Sequence, residues 1–426
     1  MHIKSLHLVN YRGIEDLNVE FSAGVNLIIG NNGVGKSSLL GGVSLALNSM
    51  LFGIESSADK KLTRDDVRVV TALVGSVTES IEYCMPVSVH CVFELGGTDY
   101  DTSYDYDEDS QGDIALVTHK QQVKYEAINK MKELVNDKDS CLPLLSYQGD
   151  ERQFFTSMKQ VNRPSGQIER RQGYKDCLKG TGSVGEIQDW CAQMDYAGYR
   201  LGQEATEYVL FKDIVSRFIR KLEDKNDISV EFSPKLNRLV YSESGRGYLV
   251  HNLSAGYQSV LCLVMELAYR TALLNPSLDS MEDLEGVVAI DEIDIHLHPR
   301  WQWKILGALR ATFPKVQFVI ATHSPIVISS AEDAKLILME NPNKVRELPD
   351  AYGNNVGDVL ELTQGSSEMP DEVKKWRHEI EQALDENDLA KAERIIQATA
   401  EQLGDASSTV RSMKDFLEVN KWIVDD

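Results

Sequence analysis

A chain of 426 residues is long enough for one large domain with insertions, or for two to three smaller ones, with a sizeable buried core. Its formal charge of −22 opposes wholesale binding to nucleic acid, so any such contact must come from a local basic patch. The six cysteines (84, 91, 141, 177, 191 and 262) form no Cys-x-x-Cys pair and no zinc spacing, which fits reduced thiols filling apolar space in a cytoplasmic protein.

The opening "MHIKSLHLVNYRG" lacks the apolar core of a signal peptide, and its continuation to Gly30 predicts strand, turn, strand, strand. Ile3, Leu6, Leu8, Leu17, Val19 and Phe21 carry the near-alternating apolar positions of that stretch. The run "SLLGGVSLALNSMLF" suits a buried helix, and "PVSVHCVFEL" a half-buried strand with Val87, Val89, Cys91, Phe93 and Leu95 on one face. Residues 97–113 are acidic and turn-rich and are predicted as a loop; 141–147 is predicted as a short buried strand. Three strand candidates, 228–232, 238–242 and 247–252, lead into "LSAGYQS" and a helix-like run whose apolar stretch, 259–274, is broken by Glu266 and Arg270 and so cannot cross a bilayer. Beyond it, "EGVVAIDE", a helix from Pro299 to about Thr312 and "VQFVIATHS" alternate strand and helix as a parallel sheet does. From Pro370 the chain is amphipathic, with helices predicted near 371–386, 388–403 and 407–424. Internal repeats and long heptad runs are absent from the sequence.

Residues 30–38, "GNNGVGKSS", fit Gly-x-x-x-x-Gly-Lys-Ser between an apolar strand and a helix. Asn31, Asn32, Gly33, Gly35 and Ser38 would let backbone wrap a phosphate; Lys36 would charge-pair the β- and γ-phosphates, and Ser37 would offer its hydroxyl to Mg²⁺. "VVAIDE" ends in Asp291 and Glu292, a metal-organising carboxylate followed by a candidate general base, although a solvated turn alone also ends strands this way. "VQFVIATHSP" delivers His323, a candidate γ-phosphate contact, though a lone histidine at a strand end is commonly structural. What unites the three is that parallel strands present their C-terminal ends at one edge, where a ligand sits at the phosphate loop.

With these motifs in that order, the chain resembles the ABC-type ATPase heads of the SMC, RecF and OLD group. The resemblance implies an α/β P-loop NTPase fold with a mixed β-sheet, an antiparallel β subdomain and a helical insertion, binding ATP with Mg²⁺. In that family a Leu-Ser-x-Gly signature meets the nucleotide of the opposite subunit, so Ser254 and Gly256 would form the trans half of the site and a homodimer or higher homo-oligomer follows. Arg12 in "NYRG" resembles the family's basic residue after the first strand, a phosphate contact or else a solvated turn arginine. Gln148 stands where the family carries its Q-loop, as metal and water contact, with Tyr147 and Arg152 as alternatives; Asp294 matches the D-loop. His296 and His298 are expected in structural or interface roles.

The segment between Gln148 and Leu253 is too short for the long arm of true SMC proteins, and no Toprim-like acidic set follows His323. The chain therefore looks most like the compact ATPases of bacterial defence systems, including the ATPase subunit of Septu-type systems, which works with a separate HNH nuclease. Expected domains are an ATPase head over 1–340, with an insertion at about 148–227, and a helical assembly region over 341–426. The expected function is ATP hydrolysis that regulates a partner nuclease, the protein itself being no nuclease; a RecF-like repair ATPase and a slow nucleotide-sensing scaffold are the alternatives. Between Arg152 and Lys179 seven basic residues face two acidic ones, making Arg163, Arg170, Arg171 and Lys175 candidates for touching nucleic acid or an acidic partner, or simply a solvated insertion. The C-terminal stripe Trp376, Ile380, Leu384, Leu389, Ala392, Ile395 and Ile396 needs a cover, expected from the ATPase body, a second subunit or a basic partner such as a nuclease, the plainer alternative being a hairpin that merely packs on its own head.

Overall fold

The computed structural model describes residues 1–52, 54, 62–74, 78–108, 114–116, 125–149, 169–180, 184–365, 370–386 and 388–424. These fall into two compact units, Met1–Val359 and Leu360–Asp426.

The first unit opens with the hairpin β1 (His2–Tyr11) and β2 (Ile14–Glu20), followed by β3 (Val25–Ile29) and helix α1 (Lys36–Met50). β4 (Val69–Val74) and β5 (Thr78–Tyr83) pair with each other, while β6 (Val87–Leu95), β7 (Thr98–Glu108) and β8 (Ile114–Leu116) extend the opening hairpin into an antiparallel sheet ordered β2-β1-β6-β7-β8. Helix α2 (Tyr125–Asn136) precedes β9 (Leu144–Gln148); α3 (Val184–Leu201) and α4 (Thr206–Glu223) are the helical insertion. An antiparallel sheet of β10 (Ile228–Ser233), β11 (Arg238–Glu243) and β12 (Arg246–Leu249) then hands the chain to α5 (Ala255–Leu274). The remaining elements are β13 (Glu285–Ile290), α6 (Pro299–Gln302), α7 (Ile305–Thr312), β14 (Lys315–Ala321), α8 (Pro325–Ser329), β15 (Lys335–Asn341), β16 (Lys344–Leu348) and α9 (Val356–Gln364).

The element that positions the site is a six-stranded sheet ordered β16-β15-β3-β14-β13-β9, parallel throughout except at β16. Helices and the antiparallel sheet leave its central strands no solvent face, which is why "VNLII" is buried at every position and "GVVAI" likewise. α1 packs its buried residues with the β1–β6 sheet, and α5 belongs to the core on the side of the insertion helices.

Residues 97–113, expected as a loop, contain strand β7. Gly96 and Gly97 (φ 61° and 78°) make a two-residue turn, since Leu95 pairs directly with Thr98. Past that turn Thr102, Tyr104 and Tyr106 point into the core while Asp101, Ser103, Asp105 and Asp107 alternate with them on the more exposed face, so a period-two pattern runs beneath the acidic composition. The expected helix from Pro299 is two helices, α6 and α7, with Trp303 and Lys304 between them. Residues 341–359, expected with the C-terminal region, stay with the first unit because β16 pairs along β15 and closes the sheet edge.

The second unit holds α10 (Asp371–Asp385), α11 (Leu389–Leu403) and α12 (Ser408–Val424), within two residues of the predicted spans. Val373, Ile380 and Ala383 meet Ala392 and Ile396 of α11 and Met413 and Leu417 of α12, with Trp376, Leu384, Leu389 and Ile395 at the margin. The predicted stripe is thus covered, in good part, by this unit's own three helices, a cover that the sequence reading did not include, because α12 supplies Met413 and Leu417 to the same core.

Candidate nucleotide-binding site

Four of the five parallel strands end at one edge with the residues that the motifs single out. β3 runs into the glycine loop, β13 into Asp291 and Glu292, β14 into Thr322 and His323, and β9 ends on Gln148. The loop depends on backbone that only glycine adopts cheaply: Gly30, Gly33 and Gly35 have φ of 144°, 80° and 101°. At Gly30 a Cβ would also stand 2.6 Å from the Met339 carbonyl oxygen of β15. Gly35 caps α1 without a side chain, so the helix's first N–H groups and its positive dipole end face the loop, a ready place for phosphate.

Lys36 is buried, and its ammonium donates to the Gly30 and Asn31 carbonyls at 2.9 Å each, curling the loop around itself. Its Nζ lies 3.5 Å from Nδ1 of His323. Burial pulls the lysine below its ordinary value, and the carboxylates of Asp291, Glu292 and Asp294 oppose that pull. Burial, and then the Lys36 charge, likewise lower His323, with Asp294 and Asp291 opposing. A histidine held below its usual value is neutral at pH 7, with one ring nitrogen to donate and one to accept. Asn31, Asn32, Gly33 and Ser37 lie open to solvent at the rim, with Ser38 half-buried beside them.

Asp291 is 2% exposed, and its N–H donates to the Gln148 carbonyl at 2.8 Å, which places the two residues side by side. Gln148 spends its amide nitrogen on Ser146 Oγ (2.8 Å), so its oxygen is the group left to face a cation. A serine hydroxyl, one carboxylate and an amide oxygen form the hard-oxygen set that suits Mg²⁺ arriving with a nucleotide. Among the described residues no three His, Cys, Asp or Glu side chains gather as a metal cluster of their own. Glu292 follows with φ 46°, a left-handed kink that turns the chain out of the strand. Arg12 (φ 51°) stacks 5.3 Å over the Tyr11 ring and donates to Asp66 at 2.9 Å. A Cβ on Gly41 would lie 3.2 Å from its guanidinium, so Arg12 sits against the second turn of α1.

The signature stretch is placed differently. Ser254 starts α5 yet makes no side-chain cap with it, and it is exposed. Gly256 has a reason to be glycine within its own chain: a Cβ there would stand 2.7 Å from the carbonyl oxygen of His296, itself at φ 62°. Tyr257 stacks edge-on to Trp301 at 4.5 Å and donates to Glu223. His298 caps α6, accepting from the Arg300 N–H at 3.2 Å, a structural role.

The basic segment needs a correction. Arg170 donates to the carbonyls of Leu274 (2.6 Å), Asp137 (3.0 Å), Lys138 (2.9 Å) and Ser140 (2.5 Å), so it ties three chain segments together rather than offering a mobile charge. Arg171 pairs with Glu169, and Lys175 with Glu186 at 3.6 Å. Arg163 and Arg152 lie outside the described residues. Motif reading also passed over Thr322, Ser324 and Gln302, whose bonds are made within the fold and leave no spacing signature.

A glycine loop on a buried lysine, two carboxylates and a neutral histidine at one edge of a parallel sheet define a P-loop ATPase head. The chain belongs to the AAA-domain family, whose model matches residues 5–239. A second model, described as an AAA domain, putative AbiEii toxin, type IV TA system, matches residues 195–329. The chain is similar to the retron Vc95 probable ATPase of Vibrio cholerae serotype O1 biovar El Tor, 24% identical over 87% of this chain and 80% of that protein. It is also similar to the retron Ec83 probable ATPase of Escherichia coli (25% identity, 88% and 78% covered) and to the Septu protein PtuA of Bacillus thuringiensis (24%, 91% and 91%). Among solved structures, the SMC head domain of Thermotoga maritima matches with a TM-score of 0.45 at 16% identity, covering 82% of this chain and 100% of that one. Among the described residues no helix is long and apolar enough to cross a membrane.

Proposed function

We propose that this protein hydrolyses ATP as a head-to-head homodimer enclosing two Mg-ATP, and that the cycle regulates a partner nuclease of the HNH type in cytoplasmic antiphage defence. The observation that carries the reading is the division of the motifs. Lys36, Asp291, Glu292, His323 and Gln148 share one sheet edge, whereas Ser254 stands exposed, its side chain making no cap on its own helix, on a segment packed against residues 296–301. In this reading the exposed Ser254 and the open N-terminus of α5 meet the phosphates of a nucleotide held by the other subunit.

In this reading Lys36 exchanges its loop carbonyls for β- and γ-phosphate oxygens, and the backbone N–H groups of residues 31–37 wrap the same phosphates. Ser37, Asp291 and Gln148 would hold Mg²⁺, which neutralises phosphate charge when bound. Glu292 takes the proton of the attacking water, and His323 hydrogen-bonds the γ-phosphate. Arg12 approaches the nucleotide from beside α1. The similarity to Septu and retron ATPases over most of both chains supports the defence setting.

Mixing two inactive variants tests the composite site. Lys36→Ala and Ser254→Arg are each expected to lack turnover. A heterodimer of the two retains one intact pairing, the lysine of one subunit with the signature of the other, so a mixture should regain activity. If the mixture stays dead while both variants remain folded and dimeric, the sites are not shared across subunits.

The second unit, with a core of its own, would carry the assembly role. Deleting residues 370–426 should leave ATP turnover close to wild type and abolish co-purification of a co-expressed HNH-type nuclease partner, as read by mass in solution and pull-down. A soluble truncation that keeps both oligomeric state and partner ends the assembly role.

A further inference from the structure

The hydrogen bonds flanking His323 single out two residues, Thr322 and Gln302, to which none of the motifs gives a role. Thr322 is fully buried; its hydroxyl donates to Asp294 Oδ1 and accepts from the Ser324 N–H at 3.0 Å. Ser324, on the other side of the histidine, accepts from the Val327 N–H at 3.2 Å and donates to Gln302 Oε1 at 2.8 Å. Gln302 closes the frame, because its amide nitrogen donates to the Leu297 carbonyl at 3.0 Å and its own carbonyl accepts from Ser330. His323 is therefore suspended between two hydroxyls, and each hydroxyl is fastened to the segment 294–302.

We infer that Thr322 and Gln302 are positioning residues for the ATPase reaction: through Asp294 and Ser324 they aim the His323 imidazole at the γ-phosphate. Asp294, which the family resemblance places at a subunit interface, then has a role within its own chain, as the anchor that orients Thr322. The physical case rests on rotor freedom. A histidine has two side-chain torsions; Lys36 Nζ, 3.5 Å from Nδ1, bears on the ring itself, and the bonded hydroxyls on either side hold the main chain from which those torsions start. The far face of the same segment carries the His296 carbonyl against Gly256 and Trp301 against Tyr257. A shift of the signature on meeting a partner's nucleotide is thereby passed through residues 294–302 to the histidine. This inference rests on the ATPase reading above.

The test compares Thr322→Val, which keeps shape and loses the hydroxyl, with Thr322→Ser, which restores it, and with Gln302→Met. Thr322→Val and Gln302→Met are expected to lower kcat by about tenfold or more, the scale of a misaimed group, with Mg-ATP affinity unchanged in a fluorescent-nucleotide titration. Thr322→Ser should recover most of the rate. In parallel, the His323 Cε1–H NMR signal at fixed pH, assigned with His323→Asn, should move in Thr322→Val and stay in place in Thr322→Ser. Wild-type kcat in Thr322→Val, or an equal loss in Thr322→Ser, overturns the inference. If the wild-type chain shows no ATP turnover, the ATPase reading fails separately and the NMR signal alone decides: an unmoved His323 signal in Thr322→Val overturns the positioning role.

Discussion

Glu292→Gln is expected to bind Mg-ATP as tightly as the wild type and to hydrolyse it about 10²–10⁴ times more slowly, the range lost with a general base. The amide keeps the volume and one hydrogen-bonding oxygen, and Glu292 sits in a left-handed kink that glutamine adopts about as readily as glutamate, so the fold should be untouched. What disappears is the proton acceptor. Asp291, one residue earlier, cannot substitute: it is 2% exposed and its backbone is fixed by Gln148, which suits an ion-holding carboxylate rather than one that reaches an attacking water. Blocked hydrolysis should also let ATP-joined dimers accumulate, visible as a doubled mass by light scattering with ATP and not with ADP. A variant that turns over ATP at the wild-type rate would remove Glu292 from the mechanism, whatever its mass.

The contrast between what could and could not be foreseen has a physical basis. The phosphate loop, the strand-borne carboxylates and the parallel order were legible because each needs a fixed residue type at a fixed spacing along one chain segment: glycine where φ is positive, lysine at the helix start, acid where an apolar strand ends. The C-terminal helices were legible from the 3.6-residue period alone. Strand β7 was hidden because aspartate dominates its composition, while the fold reads only the alternate positions Thr102, Tyr104 and Tyr106. Arg170 was misread for the same kind of reason. A basic residue in a polar stretch has the sequence appearance of a solvated charge, and the four carbonyls that claim it come from Ser140, Leu274 and the turn at 137–138, 30 to 104 residues away. Long-range polar pairings carry no local period, and Thr322 with Asp294 belongs to that class.

Arg270→Met should be the most destabilising single change in the helix that follows the signature. From Ser259 to Leu274 almost every residue of α5 is buried, so a charge on this helix has no water to turn to. Arg270 is 5% exposed and Glu266 3%; the guanidinium gives two bonds to Glu266 Oε1 and two more to the carbonyls of Gly173 and Lys175, at 2.8 and 2.9 Å. Methionine fills the stem's volume but strands a buried carboxylate, whose Oε2 already has no partner among the described residues, and two buried carbonyls as well. The expected loss is about 3–5 kcal/mol, the cost of leaving one member of a buried pair uncompensated. Arg270→Lys should recover little, since an ammonium cannot span the carboxylate and both carbonyls as the guanidinium fork does. Adding Glu266→Leu to Arg270→Met should return part of the stability by removing the stranded charge, though not all, because the Gly173 and Lys175 carbonyls stay unmet. The loss should reach the nucleotide edge too. The strap that Arg270 holds bonds Cys177 to Tyr147 (2.8 Å) and Gly180 to Gly149 (3.1 Å), on either side of Gln148. Arg270→Met assayed well below its melting temperature should therefore turn over ATP more slowly, although the residue is not among those that converge on the phosphate loop. Thermal melts and turnover of the four proteins, wild type included, decide it: an Arg270→Met variant as stable as the wild type would show that the buried pair contributes nothing.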